Sequence, residues 1–562
     1  MSPMVRNPLA FFRSAGFLIG LLFLVLVAAL FLVIRVSSSP PVIESITPEI
    51  GRPGDVVTIT GRNFGSERSR NSVRISGRTP TASAYLEWSD RRIRVRLPAE
   101  VISGLVYVHT ANGRSNGVLF TNGDHLPERI APVPQPGRPV ITRIDPESSR
   151  VGNVVTIHGR RFGENRKNSR VLFAWEAEGA DNPGRIVAQT GNIAGIVTDY
   201  VYEFWSERVI RVRVPNGAVS GPVVVQTDKG VSPAMNLRVE QTVGRKLFHD
   251  RRSFAVHYAI EIDEIEIDPE LAPWNRLYIW KPMVQSLPEQ RNVQVLARTG
   301  APLFEDLAGL TVHEFSGLEP GSRAGLSATV LFDRYAVTTE IDASRVPARY
   351  TIDERFLQKY LAESALLPTT APLIVNTARQ VTGRITNPYL KAQALYNWVL
   401  DRLEPVHREA STRPVQALEE RAGNSYSYAT IYAALLRAAG VPSRVVAGHI
   451  IDAELLPIRH YWVEFFLQDF GWVPADPALG DGMHAERLPE RSNPRAFFFG
   501  NLDSGRITFS PGLLIGRNLH VDGRRRDVPE LFSLQTHYEE AVGNLVGYRS
   551  RWLDLTVLGE QP

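Results

Sequence analysis

The sequence predicts a multi-domain chain: a membrane-anchor helix, two small β-sandwiches, a further β-sandwich-like domain, then an α+β core. Three observations carry that expectation. An uncharged apolar run of twenty residues, Ala15 to Ile34, lies near the N-terminus. A phrase of twenty-five residues occurs twice, from Pro41 and from Pro139, with sixteen positions identical. Alternating strand-like patterning gives way to helical spacing from Asp353 onward. The length, 562 residues, also exceeds what one hydrophobic core usually organises, about 250–300 residues.

The apolar run is long enough to cross a bilayer as a helix. Arg6, Arg13 and the amino terminus precede it, whereas Arg35 alone flanks it afterwards. That excess predicts a cytoplasmic tail over 1–14, a single-pass anchor over 15–34 in a bacterial cytoplasmic membrane, and extracytoplasmic (periplasmic) domains beyond. A cleaved signal peptide is the rival reading, although the run is long for one and no A-x-A site follows. The chain contains no cysteine. Disulfides, thiolate zinc sites, thiol catalysis and lipoprotein acylation are therefore excluded. A net charge of +4 is too small for so long a chain to imply nucleic acid.

The repeat comes next. PVIESITPEIGRPGDVVTITGRNFG is answered by PVITRIDPESSRVGNVVTIHGRRFG, and WSDRRIRVRLP from Trp88 by WSERVIRVRVP from Trp205. The offset grows from 98 to 117, so the second copy carries a nineteen-residue insertion, placed within Glu176 to Val197. Short alternating runs broken by Gly and Pro predict a small β-sandwich for each copy, over 41–122 and 139–240. Gly54 and Gly152 fit the turn before a strand; Gly61, Gly65, Gly159 and Gly163 fit tight turns of positive φ. The P-x-I-x-x-I-x-P opening followed by G-x-x-V-T-I-x-G-x-x-F-G resembles the IPT/TIG immunoglobulin-like domain. That resemblance implies spacers or protein- or glycan-binding modules, and a passive stalk is the plainer expectation. Residues 123–138, GDHLPERIAPVPQPGR, form a stiff Pro-rich linker.

Residues 244–346 read as a third β region, with FAVHYAIEIDEIEID and LSATVLFDRYAVTTEID as strands. Its acids Glu261, Asp263, Glu264 and Glu266 are expected on a solvated strand edge, where charge discourages intermolecular pairing. Helical spacing follows in DERFLQKYLAES, APLIVNTARQVTG and NPYLKAQALYNWVLDRL, with Pro388 at a helix start.

The chemistry lies between Gly423 and Pro477. Apolar residues at Tyr428, Ile431, Tyr432, Leu435, Leu436 and Ala439 predict a helix that Gly440 and Pro442 end. Asn424 is the expected N-cap, which puts Ser425 in the first turn, beside unpaired backbone N–H groups. Ser443 to Ile450 and His460 to Leu467 read as strands, with Asp476 in the turn after them. A hydroxyl, an imidazole and a carboxylate thus come from helix, strand and turn.

These residues carry a resemblance. GNS before an amphipathic helix, LLRAAGVPSRVV, HYWVEFF and GWVPADP resemble the core of the transglutaminase-like superfamily, with its papain-like Cys, His and Asp. His460, Trp462, Glu464, Gly471, Trp472, Asp476 and Pro477 match that pattern. Ser425 departs from it, standing where the family places its nucleophilic Cys. Cys works there as a thiolate made beforehand by His, whereas Ser must lose its proton during attack. The resemblance therefore implies a pseudoenzyme, catalytically inactive and serving protein, peptide or cell-wall binding. The alternative is a Ser-based amidase, peptidase or acyl-transfer enzyme using Ser425, His460 and Asp476. Singly, the three residues could be a helix cap, a strand histidine and an Asx-turn residue. Asn424, Tyr426 and Tyr428 are placed near the cleft, and Tyr396 and Trp398 in the core. No cofactor or metal is implied. The core is expected over 353–515, with a C-terminal extension over 516–562 whose SLQTHYEEAVGNLVGYRSRWLDL has helical spacing.

Overall fold

The computed structural model describes residues 39–561 apart from 100, 102–103, 123–136, 167–168, 178–186, 190–200, 272, 308–309, 353, 365, 407–412, 513, 516–518, 521–522, 526–529 and 532–536. Two compact units make up the chain: Met1–Arg129 with Gly559–Gln561, and Ile130–Leu558 with Pro562.

In the first unit Val42–Thr47, Val56–Arg62, Arg92–Arg96 and Tyr85–Trp88 form one sheet in that order. Ile50–Gly51, Val118–Asn122, Gly104–Thr110 and Ser72–Ile75 form a second. Alternation sends Val57 and Ile59 inward, where they join Phe64, Val73 and Val106. The second copy repeats the first sheet with Val140–Asp145, Val154–Arg160, Val209–Arg213 and Tyr202–Trp205. Most of its insertion falls outside the described residues. Gly65 and Gly163 have the expected positive φ, at 85° and 89°. Gly61 and Gly159 do not; a Cβ there would lie 2.0 Å from the Val42 carbonyl oxygen and 2.1 Å from that of Val140. Their role is close backbone approach across the strand pair rather than turn geometry.

The third β region is a pair of sheets completed from far along the chain. Gly244–Ile267 pairs with Ala324–Ile341 on one side and with Leu545–Trp552 on the other. Asn275–Pro282 pairs with Leu310–Ser316 and with Tyr538–Gly543. The helical reading of the C-terminal segment is corrected: Tyr538, Val542, Leu545 and Tyr548 lie in two strands. Their spacing suits a helix, but each strand buries its residues against a waiting sheet, as Tyr538 does against Trp280 at a ring separation of 5.1 Å. The acidic edge is corrected as well. Arg549 holds Asp263 at 2.8 Å and 3.0 Å, and Arg551 holds Glu261 at 3.1 Å, so a partner strand covers it.

In the core, helices α1 (Pro372–Thr382), α2 (Pro388–Arg402) and α3 (Ser425–Ala438) precede strands β1 (Ser443–Ile451), β2 (Pro457–Leu467) and β3 (Gly471–Ala475). A one-turn helix α4 (Pro477–Gly480) and strand β4 (Arg506–Pro511) follow. The sheet is antiparallel in the order β3-β2-β1-β4. Ile431, Leu435 and Tyr432 of α3 pack with Val445, Val463, Phe465 and Val473 of the sheet. The second sandwich shares this unit: Phe248, Tyr335 and Val337 complete its interior.

The membrane-anchored fold class is corrected. The expected tail over 1–14 and anchor over 15–34 lie outside the described residues, and among the described residues no helix is long and apolar enough to cross a membrane. The described chain is mostly β-sheet with few helices, and the single-pass periplasmic location is withdrawn with the anchor.

Candidate active site

Helix α3 starts where its cap dictates. Asn424 is extended, with φ −87° and ψ −177°, and its side chain accepts the Ser427 N–H at 3.2 Å. Ser425 is therefore the first helical residue, in the field of the helix N-terminus. It is 6% exposed.

His460 lies within β2, opposite Gly448 of β1, rather than at the strand start, because β2 begins three residues earlier than its apolar run. The ring is wholly buried. Its Nε2 meets Asp476 Oδ1 at 3.1 Å and Oδ2 at 2.9 Å. The carboxylate thus holds a ring proton on Nε2. Nδ1 is buried and makes no hydrogen bond, so the hydroxyl of Ser425 is not bonded to it.

Asp476 does two jobs. It caps α4, with Oδ1 accepting the Leu479 N–H at 3.0 Å and Pro477 at the first helical position. Arg506 from β4, itself wholly buried, donates Nη1–H to Oδ2 at 2.7 Å. Arg506 also reaches Asp503 at 3.2 Å and lies over the Trp462 ring at 5.2 Å. Trp462 in turn stacks beside His460, 6.4 Å away at 21°. Burial alone would raise the Asp476 carboxyl, but the His460 and Arg506 charges and their hydrogen bonds bring it down to about 2. Asp476 is therefore a fixed anion.

Two contacts bracket Ser425. The ring of Tyr426 meets that of Tyr461 edge-on at 5.2 Å, joining the residues after Ser425 and after His460. One turn further along α3, the Tyr428 hydroxyl donates to the Asp481 carboxylate just beyond α4. The helix start is thus held to both the imidazole strand and the carboxylate turn. Tyr428 itself is core, not cleft: it is wholly buried and also donates to the Leu403 carbonyl at 3.0 Å.

The other motif residues are structural. Glu464 pairs with Arg444 at 2.7 Å, and the Arg444 guanidinium lies 4.2 Å over the Trp472 ring. Arg506 was missed from sequence. Its signal was an arginine heading the apolar run ITF, a buried cation that requires a carboxylate partner. Among the described residues no cluster of His, Asp and Glu could hold a metal ion.

Comparison with known proteins bears on this geometry. Residues 375–477 match the transglutaminase-like superfamily, and residues 41–123 and 139–177 match the IPT/TIG domain. The chain carries a transglutaminase-like core preceded by IPT/TIG domains. A protein-glutamine gamma-glutamyltransferase of Pseudomonas aeruginosa is 31% identical over 119 residues, which is 18% of this chain and 18% of that protein. A cyclomaltodextrin glucanotransferase of Bacillus licheniformis is 33% identical over 98 residues, 17% of this chain and 13% of that protein. The chain thus spans under a fifth of each relative's length. The periplasmic domain of TgpA from Pseudomonas aeruginosa aligns over 44% of this chain and 94% of its own, at 15% identity and a TM-score of 0.25, too low to carry an argument.

Proposed function

We propose that the transglutaminase-like core uses Ser425 as the nucleophile of an acyl-transfer or hydrolytic reaction on a carboxamide or peptide carbonyl. Ser425 stands where the superfamily places a cysteine. The observation that carries the reading is the unbonded, buried Nδ1 of a histidine whose Nε2 is already committed to an ionised, doubly held carboxylate. Such unbonded ring nitrogens also occur in His313, His449 and His537, but only His460 pairs its other nitrogen with an Asp held by an arginine, beside a helix start that offers a hydroxyl. In the reaction, Oγ of Ser425 adds to the carbonyl carbon as its proton passes to Nδ1. The tetrahedral oxyanion finds backbone N–H groups at the start of α3. Collapse breaks the C–N bond and returns the proton from Nδ1 to the departing amine. Water or an acceptor amine then releases the acyl group. Asp476 stabilises the imidazolium formed in between.

A second reading, a pseudoenzyme that binds a protein or peptide without turnover, is favoured by the residue type: Ser425 offers a hydroxyl and not the thiol that a resting thiolate–imidazolium pair requires. One experiment separates them. A fluorophosphonate probe should label the wild-type chain at Ser425, and Ser425→Ala should abolish labelling. Silence from the wild type rejects the serine mechanism and leaves binding. Amidase or transglutaminase activity gained by Ser425→Cys would support an intact remaining machinery.

A further inference from the structure

The reacting groups are shut away. His460 and Asp476 are wholly buried, and no substrate carbonyl can approach a ring so enclosed without displacing something. The segment after α4 lies across it. Its His484 stands edge-on to the His460 ring at 6.5 Å and 68°.

This segment is built differently from its surroundings. It leaves α4 through Gly482 at φ 83°, and His484 follows at φ 60°, left-handed conformations that only glycine adopts without strain. Gly482 and Met483 are tied to α4, their N–H groups donating to the Leu479 and Ala478 carbonyls at 3.1 Å and 3.0 Å, and Met483 is buried in the core. Beyond Met483 the backbone bonds are local: Ala485 N–H donates to the Gly482 carbonyl at 3.1 Å and Arg487 N–H to that of His484 at 2.9 Å. The turn from His484 onward can therefore move while Met483 stays in place. Its far end is fastened at one place. Arg487 grips Asp452 through Nε at 3.0 Å and Nη2 at 2.5 Å, and its carbonyl accepts the Ala453 N–H at 3.3 Å. Asp452 is a firm post, itself accepting the N–H groups of Glu454 and Leu456 at 3.0 Å and 2.7 Å.

We infer that His484–Arg487 is a lid over the His460–Ser425 site, latched by the Arg487–Asp452 pair and hinged at His484, that opens to admit a peptide-like chain. The inference rests on the reading of His460 and Ser425 as the reacting centre. Asp452 and Arg487 lie outside that centre, so the latch can be cut without touching it.

The test uses the full chain as wild type, Arg487→Ala and Asp452→Asn, the last keeping acceptors for the two backbone N–H groups. Acylation of individual histidines by diethyl pyrocarbonate is followed by mass spectrometry. Wild-type His460 should be protected. Either variant should speed its modification about tenfold, the factor expected from losing one charge-assisted hydrogen bond. His313, buried in the third β region, should stay protected. Unchanged His460 rates in both variants overturn the lid. So does equal acceleration at His313, which means general loosening. Faster His460 modification with no fluorophosphonate labelling of Ser425 in any variant upholds the lid while rejecting the serine mechanism.

Discussion

The two immunoglobulin-like copies share strand order and interior, yet their surroundings differ. Ile46, Val57, Ile59 and Phe64 are answered by Ile144, Val155, Ile157 and Phe162, all buried. Only the second copy belongs to the compact unit of the core. The seam is made where the copies diverge. Val151 bridges Asp469, whereas the matching Pro53 lacks an N–H to give. Asn216 accepts from Lys246 Nζ at 2.8 Å and from the Trp472 N–H at 3.2 Å; its counterpart is Ala99. Trp175 packs between Phe248 at 5.4 Å and Tyr335 at 5.2 Å, under the Arg291 guanidinium at 4.2 Å, where the first copy has Gly77. The shared residues make a sandwich; the divergent ones tie the second copy into the core's unit.

The comparison can be broken at its strongest point. Trp175→Ala should cost about 3–5 kcal/mol, as loss of a large buried aromatic does. Denaturant unfolding of the unit should show it, and a loss below about 1 kcal/mol would mean the seam does not depend on that ring. The next effect is on pH. Burial pushes Lys246 down to about 8, with Glu464 and Glu289 opposing. The unfolded chain therefore binds more protons than the folded one between about pH 8 and 10.5, and stability should rise across that window. The share owed to Lys246 is roughly 3 kcal/mol and should be lost in Lys246→Met, while the share of Lys281, pushed down to about 7 by burial, remains. Smaller again, Asn216→Ala should cost about 1–3 kcal/mol by taking the acceptor from the half-buried Lys246 ammonium and from the Trp472 N–H. Ala99→Asn in the first copy should create no comparable gain. The smallest effect belongs to Arg150, which reaches Asp469 at 3.0 Å and Glu240 at 3.3 Å while 40% exposed. Its replacement by Ala should cost about 0.2–1 kcal/mol.

What could be read from sequence was local. The Asn424 cap, the Pro388 start after Asn387 and the strands on either side of the site follow from neighbours a few residues apart. His460 and Asp476 stood out because spacing and motif named them, and the structure joins them by hydrogen bonds. What stayed hidden depends on distant partners. Arg506 drew no reading from the sequence, because the partner that gives it meaning, Asp476, lies thirty positions back. Tyr428 read as a cleft residue because nothing near it in sequence names Leu403 or Asp481. The C-terminal segment followed a helical period by coincidence, and two unpaired sheets outweighed it. Burial of the imidazole beneath His484 has no sequence signal, since it depends on the path of a turn.

Those late strands also set a timetable for synthesis. Asp263 and Glu261 leave the ribosome 286 and 290 positions before the arginines that will neutralise them. Throughout that interval the long Gly244–Ile267 strand has one open flank, and its row of carboxylates repels identical flanks on neighbouring nascent chains. The same charges that guard the waiting strand later become the hooks that Arg549 and Arg551 fasten.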